Sequence, residues 1–588
     1  MPRRIAGALA GLAGEGALNH PVIPIALARQ GASRQRKREA RRGRQVDPAA
    51  LSEVRTLLGE APRRRDLLIE YLHRINDAHG QLGAPHLAAL AHELDLSQAE
   101  VYEVASFYHH FDVVKESPEG GVPAAASLTV RVCDGLSCEL AGAQDLIARL
   151  RATLGAHVRV LAAPCIGRCE QAPAALVHQR PVPRATAESV AVAVRAGATR
   201  HEPEPYIGLD AYVAQGGYAL LRDCVAGRRG VEDVLATLEH SGLRGLGGAG
   251  FPAGRKWRIV RAEPAPRLLA VNIDEGEPGT FKDRVYLERD PHRFVEGMLI
   301  AAWAVGAESA YVYLRDEYHG CRAMLEAELD RLRASPPWAG MPSIELRRGA
   351  GAYVCGEESA MIESIEGKRG MPRLRPPYVA QAGLFGRPTL QHNFETLYWV
   401  REVLERGAAW FADQGRHGRR GLRSFSVSGR VKVPGVKLAP AGITARELID
   451  EHCGGMADGH ELYAYLPGGA SGGIFPASLA DVPLDFDTLQ PHGGFIGSAA
   501  VIVLSRRDRA VDAARNLMRF FEHESCGQCT PCRVGTAKAS MLIAQPRWDL
   551  ALLADLSAVM RDASICGLGQ AAPNPVDCVV RYFSHELD

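Results

Sequence analysis

The chain has 588 residues, of which 46% are hydrophobic and 23% are charged, and its formal net charge is +1. This length exceeds what one hydrophobic core supports, so three or four domains are expected. The near-neutral charge gives no electrostatic basis for binding nucleic acid, and no apolar run reaches membrane-spanning length. No convincing secretory signal is evident, so we expect a cytoplasmic protein without a membrane span.

The thirteen cysteines are distributed unevenly, because seven of them form two close pairs and one triplet. In a large chain without a secretory signal, such clusters favour metal or iron–sulfur ligation over a disulfide framework. The isolated cysteines are instead expected to be packed thiols, and they are Cys224, Cys321, Cys355, Cys453 and Cys578.

The first 45 residues carry ten Lys and Arg side chains against two acidic ones, Glu15 and Glu39. Such a run is typical of a solvated tail, predicted here for residues 1–48, although docking onto an acidic face of a partner is the alternative. From residue 49 to 115 the apolar spacing predicts a small helical bundle. Ser97 precedes Glu100 there as a possible capping box.

Residues 126–200 change to a strand–helix–strand pattern, with strands at Ser127–Val132 and Val158–Leu161 and a helix at Gln144–Leu154. Each strand is followed by a pair of cysteines in a loop that bears Gly or Pro. The four cysteines are Cys133, Cys138, Cys165 and Cys169.

These two pairs, spaced C-x4-C and C-x3-C, bring four thiolates to adjacent loops. Zinc pairs usually have two-residue spacers, so the wider spacing favours a [2Fe–2S] centre. A structural zinc site is the main alternative, and simple buried cysteines are a weaker one.

The stretch 242–257 contains six glycines in sixteen positions, together with Arg244, Arg255 and Lys256. Such glycine density indicates sharp turns or close backbone approach to a ligand. Successive backbone N–H groups beside cations suit an anionic phosphate. A flexible surface loop is the alternative, since a glycine-rich loop by itself is a weak signal.

Two later segments place acidic residues directly after predicted strands. The buried strand Arg267–Asn272 delivers the acidic loop 272–280, and the strand Ser343–Arg347 is followed by Gly356–Glu358. Alternation of strands and helices predicts a doubly wound sheet, which binds ligands at the carboxyl ends of its strands. Carboxylates there would suit the hydroxyls of a flavin or a nicotinamide nucleotide, whereas a solvated acidic turn is the alternative.

The last third of the chain combines a small β-rich segment at 424–505 with a helical segment from residue 508. The β-rich segment shows no obvious chemistry. The helical segment contains C-x2-C-x2-C and a fourth cysteine on a later loop, a pattern that encloses a [4Fe–4S] cluster and rarely serves zinc. These ligands would be Cys526, Cys529, Cys532 and Cys566.

The segments Gly245–Pro252, Asn272–Thr280, Gly356–Glu358 and Glu524–Cys532 resemble the flavin subunit of respiratory complex I. Residues 50–200 resemble the thioredoxin-like [2Fe–2S] subunit of the same complex, here fused in front. The resemblance implies an α/β multidomain fold. Its parts would be a thioredoxin-like [2Fe–2S] domain (126–200), a Rossmann-like FMN/NAD domain (216–423), a β-grasp-like insert (424–505) and a C-terminal helical [4Fe–4S] bundle (508–588).

The same resemblance implies which residues hold FMN and NAD, and it implies no catalytic acid or base. The FMN set is Gly245, Gly247, Gly248, Lys256, Asn272, Asp274, Glu275, Gly356, Glu357, Asn393 and Thr396. The nicotinamide nucleotide set is Phe251, Glu277, Glu358, Arg375 and Tyr378, and Tyr353 is assigned to the shared cofactor pocket.

Such fusions are known as β (diaphorase) subunits of NAD-dependent formate dehydrogenases. The resemblance therefore implies a partner α subunit with a molybdenum or tungsten pterin centre and further Fe–S clusters. Electrons from formate would pass through [4Fe–4S] to FMN and reversibly reduce NAD+ to NADH. The alternatives are the diaphorase subunit of an NAD-reducing hydrogenase, a complex I-like NADH dehydrogenase and, remotely, a zinc-stabilised scaffold without redox activity.

Overall fold

The computed structural model describes residues 43–117, 121–155 and 157–587. Most of the predicted basic tail, residues 1–42, lies outside the described residues. Within the described ranges, no helix is both long and apolar enough to cross a membrane.

The first region is a helical bundle whose buried residues join the core of the larger molecule. The capping box at the start of its fourth helix is confirmed, because the Ser97 side chain accepts from the Glu100 N–H and Glu100 caps Ser97 in return. A two-residue parallel ladder pairs its short strands. The elements are α1 (Pro48–Leu58), α2 (Leu68–His79), β1 (Leu82–Gly83), α3 (Ala84–Glu93), α4 (Gln98–Phe107) and β2 (Val113–Val114).

The second region is a four-stranded mixed sheet with helices. Its first two strands are parallel and its last two are antiparallel, in the order β4-β3-β5-β6. The strand–helix–strand prediction is confirmed here, with each strand one or two residues longer at its end. The elements are β3 (Leu128–Cys133), α5 (Leu136–Leu140), α6 (Ala143–Thr153), β4 (Val158–Ala163), β5 (Ala175–Val177), β6 (Arg180–Val182) and α7 (Ala187–Arg195).

The third region contains a four-stranded parallel sheet in the order β10-β7-β8-β9. Parallel strands covered by helices are buried on both faces, which explains the continuous apolar run in Arg267–Ile273. The elements are α8 (Leu209–Ala214), α9 (Ala219–Val225), α10 (Val231–Ser241), α11 (Ala253–Ala262), β7 (Arg267–Ile273), α12 (Lys282–Arg289), α13 (Pro291–Val305), β8 (Ala307–Leu314), α14 (His319–Ala334), β9 (Ser343–Arg348), α15 (Glu358–Ile365), β10 (Thr389–Asn393), α16 (Phe394–Tyr398), α17 (Val400–Arg406) and α18 (Ala408–Ala412).

The segment between the second and third regions is more ordered than a linker, because residues 200–218 contain α8. The Tyr212 hydroxyl donates to Glu296 over 2.6 Å, and the Tyr218 N–H donates to the same carboxylate over 2.9 Å. A buried carboxylate needs such donors, so this segment packs as part of the third region.

The fourth region is a five-stranded mixed sheet in the order β12-β11-β15-β13-β14. Its single short α-helix continues as a π-helical turn at Leu448–His452. The elements are β11 (Leu422–Gly429), β12 (Gly435–Pro440), α19 (Ala445–Glu447), β13 (Leu462–Leu466), β14 (Phe475–Pro476) and β15 (Ala500–Ser505).

The C-terminal region is helical, as predicted. Its first helix is strongly amphipathic and buries Leu517, Met518 and Phe521 against the rest of the chain. The elements are α20 (Ala510–Glu524), α21 (Thr530–Ile543), α22 (Leu550–Ala563), α23 (Gly567–Ala571) and α24 (Asn574–Tyr582).

Two buried arginines of the third region fasten the second region to it. The Arg315 guanidinium donates to the Cys165 carbonyl over 2.6 Å, and that of Arg284 donates to the Gly167 carbonyl over 3.0 Å. Since both arginines are almost fully buried, they hold the second cysteine pair against the parallel sheet.

Candidate cofactor sites

The four cysteines of the second region converge at the ends of β3 and β4. Cys133 is the last residue of β3, and Cys165 lies just beyond β4. The Sγ atoms of Cys165 and Cys169 are 3.3 Å apart. The Cys133 thiol is close enough to those of Cys138 and Cys165 to raise its pKa through hydrogen bonds to them. All four side chains are buried, so the donor set is a closed group of four sulfurs.

The four cysteines of the C-terminal region also come together. Cys529 and Cys566 are the N-caps of α21 and α23. Burial raises the pKa of the Cys532 thiol to about 11 and that of Cys566 to about 12. Thiolates in such surroundings need a positive centre, so the donor set fits an iron–sulfur cluster. A Cβ at Gly569, inside α23, would lie 2.5 Å from the Ser564 hydroxyl and 2.8 Å from the Cys532 Cβ, which explains the glycine there.

The predicted flavin residues gather at the carboxyl edge of the parallel sheet. Asn272 and Asn393 are direct partners at the ends of β7 and β10. The Asn272 side chain donates to the Gly356 carbonyl over 2.8 Å, while that of Asn393 caps α16 by accepting from the Thr396 N–H over 3.1 Å. One edge therefore unites loops that are distant from each other in the chain.

The glycine loop crosses this edge between α10 and α11. The Leu246 N–H donates to the Thr396 hydroxyl over 2.9 Å, which ties the loop to the end of β10. A Cβ on Gly247 would lie 2.9 Å from the Cβ of Asn393, so only glycine fits there. Gly245 is less crowded, and its N–H donates to the Phe251 carbonyl over 2.8 Å and closes the loop. This backbone cradle fits a phosphate-bearing ligand.

Gly248 adopts a φ of +127° and passes close to the fourth region. A Cβ added to Gly248 would lie 3.6 Å from the backbone of Gly497. Phe251, at the far end of the loop, is 41% exposed. Its ring therefore presents an open apolar surface beside the cradle.

The acidic loop after β7 divides into side chains with different surroundings. Asp274 is half-buried, and its Oδ2 atom is shielded from solvent but has no hydrogen-bond partner in the described part of the chain. Burial raises the pKa of this carboxyl to about 8. An orphaned buried oxygen at this edge fits a ligand that donates hydrogen bonds, such as the hydroxyl groups of FMN.

Glu275 faces the protein interior instead. Its carboxylate accepts from the Asp283 N–H over 2.9 Å, the Arg284 N–H over 3.2 Å and the Tyr318 hydroxyl over 2.8 Å. By accepting from the Asp283 and Arg284 N–H groups, the Glu275 carboxylate caps the first turn of α12. Glu275 therefore helps to shape this edge of the sheet. Its side chain is not directed into the cradle.

Glu277 and Tyr353 form a pair between the flavin edge and the fourth region. The Tyr353 hydroxyl donates to the Glu277 carboxylate, which also accepts from the Ser471 N–H over 2.7 Å. Burial raises the pKa of Glu277, and these two donors oppose that rise. Sequence reasoning missed Ser471, since the segment 424–505 showed no obvious chemistry.

The cations at the edge are held by the acids that follow β9. The Lys256 ammonium lies 2.9 Å from the Glu358 carboxylate. Arg375 pairs with Glu357, and its guanidinium is 3.7 Å from Glu358. Glu357 also caps α15 by accepting from the Ser359 and Ala360 N–H groups.

Tyr378 lies apart from this cluster and is 55% exposed. Its N–H donates to the side chain of Gln381, and no ion pair or ring contact places it against the cradle among the described residues. The structure therefore brings most of the predicted nucleotide-binding residues together but leaves Tyr378 at the surface.

Glu524 connects the flavin edge to the C-terminal cysteines and was also missed. Its carboxylate accepts from the Tyr353 N–H over 2.9 Å. Burial would raise its pKa, but hydrogen bonds from His109 and His523 hold that pKa at about 2. The carboxylate is thus ionised two residues before the first cysteine of the triplet.

A cavity of about 120 Å³ lies between these parts of the molecule. Cys165 borders it on the side of the first cysteine group, and Asp274 and Tyr353 border it on the flavin side. Glu524 borders it beside the second cysteine group. One cavity is therefore bordered by the second cysteine pair, by the flavin edge and by the end of α20, the helix that precedes the cysteine triplet.

Three family models match separate parts of the chain. Residues 54–197 match the thioredoxin-like [2Fe-2S] ferredoxin, residues 238–402 the Nuo51 FMN-binding domain, and residues 512–588 the NADH-ubiquinone oxidoreductase-F iron-sulfur binding region. A subunit of the NADH-quinone oxidoreductase of Rhizobium meliloti (strain 1021) is 41% identical over 393 residues, which are 64% of this chain and 93% of that protein.

The chain belongs to the family of NADH-quinone oxidoreductase flavoproteins. Another member, the mitochondrial NADH dehydrogenase [ubiquinone] flavoprotein 1 of Dictyostelium discoideum, is 42% identical over 379 residues, covering 61% of this chain and 79% of that protein. Among solved structures, a chain of an NAD+-reducing [NiFe]-hydrogenase in the H2-reduced state matches with a TM-score of 0.77 and 35% identity. That match covers 90% of this chain and 92% of the other.

Family membership confirms the α/β multidomain fold predicted from sequence, and the matched domains are iron–sulfur domains rather than zinc domains. The chain is an oxidoreductase flavoprotein with an FMN-binding domain, a thioredoxin-like [2Fe–2S] domain and a helical [4Fe–4S] region. Its family is one of NADH dehydrogenases. The individual cluster ligands and the FMN and NAD contacts stay predictions.

Proposed function

We propose that the chain is the NAD(H)-side electron-transfer subunit of a multi-subunit oxidoreductase. The observation that carries this proposal is the bond from the Tyr353 N–H to Glu524, which joins the flavin edge to the C-terminal cysteine loop. FMN, when bound, supplies the conversion between two-electron hydride transfer and one-electron transfer. The role of the chain is to hold FMN close to the cysteine groups. This electron transfer requires no catalytic acid or base from the chain.

The residues at the edge would divide the work of binding. The glycine cradle and Lys256 would hold the FMN phosphate, and Asn272 and Asp274 would accept and donate hydrogen bonds at its polar groups. Phe251 offers the exposed ring against which the nicotinamide nucleotide would pack. Glu357 and Glu358 would keep the cations Lys256 and Arg375 in position.

The two cysteine groups would then carry single electrons. The [4Fe–4S] cluster of the C-terminal cysteines would exchange electrons with a partner subunit. The [2Fe–2S] cluster, bordering the same cavity through Cys165, would act as a side store or a second electron port.

For the partner we propose an α subunit that oxidises formate at a molybdenum or tungsten pterin centre. Support comes from the fusion of a thioredoxin-like [2Fe–2S] domain in front of the FMN-binding domain. The second candidate is a hydrogenase, and it is favoured by the 90% of this chain that aligns with the NAD+-reducing [NiFe]-hydrogenase. A complex I-like assembly fits less well, because the matched NADH dehydrogenase relatives align with only about three fifths of the chain.

Anaerobic purification of the tagged chain from its source tests both the electron-transfer role and the identity of the partner subunit. The complex should contain FMN and iron and should oxidise NADH with ferricyanide; an isolate with zinc but neither iron nor flavin would refute the electron-transfer role. Molybdenum or tungsten with formate-dependent NAD+ reduction would support the formate partner. Nickel with hydrogen-dependent NAD+ reduction would replace that partner with a hydrogenase.

A further inference from the structure

Three side chains of the N-terminal bundle converge outside every site described above. Glu53 lies on α1, His79 is the last residue of α2, and His86 lies in the first turn of α3. The Nε2 of His86 is 2.9 Å from the Glu53 Oε2, and the Nε2 of His79 is 3.9 Å from the same oxygen. Each helix thus contributes one nitrogen or oxygen donor.

We propose that Glu53, His79 and His86 form a zinc site that ties α1, α2 and α3 together. Zn²⁺ binds imidazole nitrogens and carboxylate oxygens at about 2.0–2.2 Å, so tetrahedral ligand atoms lie about 3.3 Å apart. The distances of 2.9 and 3.9 Å bracket that value. Three protein ligands leave a fourth position open on the solvent side, where a water molecule completes the coordination.

The rings are arranged as ligands rather than as an ordinary ion pair. The ring centroids of His79 and His86 are 4.3 Å apart, and the angle between the two ring planes is 30°. The Nε2 of His79 is shielded from solvent and has no hydrogen-bond partner in the described part of the chain. A buried ring nitrogen without a donor or acceptor is costly, and a metal ion would satisfy it.

The charge around the site also favours a cation. The Glu53 carboxylate faces two imidazole rings, and a neutral imidazole offers a ring-nitrogen lone pair to a metal ion. Asp47, at the N-cap of α1, adds a second negative charge nearby.

Zinc binding would require only a change of tautomer at His86. In the metal-free chain its Nε2–H donates to Glu53; with the proton on Nδ1, both rings direct a lone pair at the position between them and the carboxylate. No electron is transferred and no bond between carbon atoms changes. The three ligands would then crosslink helices that also meet through apolar packing and through the Arg55–Glu93 ion pair.

Two other groups of histidine and carboxylate side chains in the described ranges are less suited to a cation. In the group His73, His110 and Asp316, the carboxylate already pairs with Arg348. In the group around Glu524, the carboxylate already accepts the Tyr353 N–H beside the cluster loop. Glu53 has no Lys or Arg within ion-pair distance among the described residues, which distinguishes it from Asp316.

The test counts zinc and iron in the full, anaerobically purified chain after exposure to Zn²⁺ and gel filtration. The unaltered chain should retain about one more zinc ion per chain than the double variant His79→Gln/His86→Gln, with equal iron in both. Equal iron shows that the extra zinc does not occupy the cysteine groups. His92→Gln, an exposed histidine on the same α3, is the matched control and should bind zinc as the unaltered chain does.

Spectroscopy at the zinc K-edge separates this site from zinc at cysteines. Only nitrogen and oxygen neighbours are expected, at about 2.0–2.2 Å, whereas sulfur at about 2.3 Å would overturn the proposal. Equal zinc in the unaltered chain and the double variant would also overturn it. If the double variant does not fold, the test uses Glu53→Gln, which changes the most exposed of the three ligands. This variant should lose the zinc while its iron content stays unchanged.

Discussion

The backbone N–H of Tyr353 donates to the carboxylate of Glu524 across 2.9 Å, although 171 residues separate them in the chain. Tyr353 also bonds Glu277 at the flavin edge, and its ring packs 5.0 Å from that of Phe520. One residue therefore touches the acidic loop, the last helical turn before the cysteine triplet and the β-rich region through Ser471. The relative position of the two cofactor sites depends on these contacts.

Replacing Glu524 by Ala should loosen this connection. The Tyr353 N–H would be left buried without an acceptor, at a cost of roughly 1–3 kcal/mol. We expect a lower melting temperature and slower electron transfer to the C-terminal cluster, with NADH–ferricyanide activity largely retained. Glu524→Gln keeps an acceptor oxygen and should recover most of the stability; if both variants behave alike, the hydrogen bond is not the cause.

Removing a cluster cysteine should remove a defined share of the iron. A chain with one [2Fe–2S] and one [4Fe–4S] cluster holds about six iron atoms, and Cys529→Ala should lower this to about two. Electron delivery from the partner subunit would stop, while NADH oxidation by ferricyanide would persist. Cys453→Ala is the control because Cys453 is a fully buried isolated thiol; its iron content should not change, and an equal loss there would contradict the assignment.

A methyl group at Gly247 should disturb the glycine cradle. Its Cβ would lie 2.9 Å from the Cβ of Asn393, so the N-cap of α16 must move. Gly247→Ala should weaken FMN binding about tenfold or more, equivalent to about 1.4 kcal/mol, measured by fluorescence of released flavin. Gly230→Ala, where the nearest atom is 3.5 Å away, should retain its flavin.

Asp274 should make the flavin-free protein less stable as the pH rises. Burial raises its pKa from an ordinary value of 3.8 to about 8 in the folded chain. Between these values the folded state holds a proton that the unfolded state has lost, so the free energy of unfolding falls as pH increases. Asp274→Asn cannot ionise and should be more stable than the unaltered chain at pH 8, by roughly 2–5 kcal/mol.

The measurement for Asp274 is the melting temperature of both flavin-free proteins from about pH 5 to about pH 8, the range between the unfolded and folded pKa values. The difference should be small at the acidic end and should grow steadily toward the alkaline end. A difference independent of pH would show that Asp274 is already ionised in the folded chain at low pH.

Phe251 should contribute to nucleotide binding without holding the flavin. Since its ring is 41% exposed, Phe251→Ala should leave the fold and the FMN content intact. Loss of the apolar contact, worth about 1–2 kcal/mol, should raise the KM for NADH several-fold or more. Tyr102→Ala, which removes a ring 44% exposed on α4, should leave that KM unchanged.

Local patterns in the sequence predicted many of the helices and strands, and they also indicated which cysteines would lie close together. Strand β4 begins at Val158, where the sequence pattern placed it, and runs two residues further than predicted. Close spacing identified the two pairs and the triplet, whereas Cys566, on a later loop, was added as the fourth candidate ligand. Their convergence then follows from adjacent parallel strands and from a single tight loop.

Contacts between distant segments could not be predicted in this way. Ser471 meets Glu277 across 194 residues, and neither belongs to a pattern that points to the other. Glu275 also looked like a ligand because it follows β7, yet its carboxylate caps α12. Position after a strand indicates the correct edge of the sheet, whereas the direction of each side chain depends on packing.

The arginines Arg315 and Arg284 have a kinetic consequence. They bind the carbonyl groups of Cys165 and Gly167 within one loop, and they are themselves buried and bound by acidic neighbours. A domain fastened in this way does not swing between donor and acceptor as a tethered carrier does. The tunnelling distance to its cluster is therefore constant, and the rate of electron transfer should not vary with solvent viscosity.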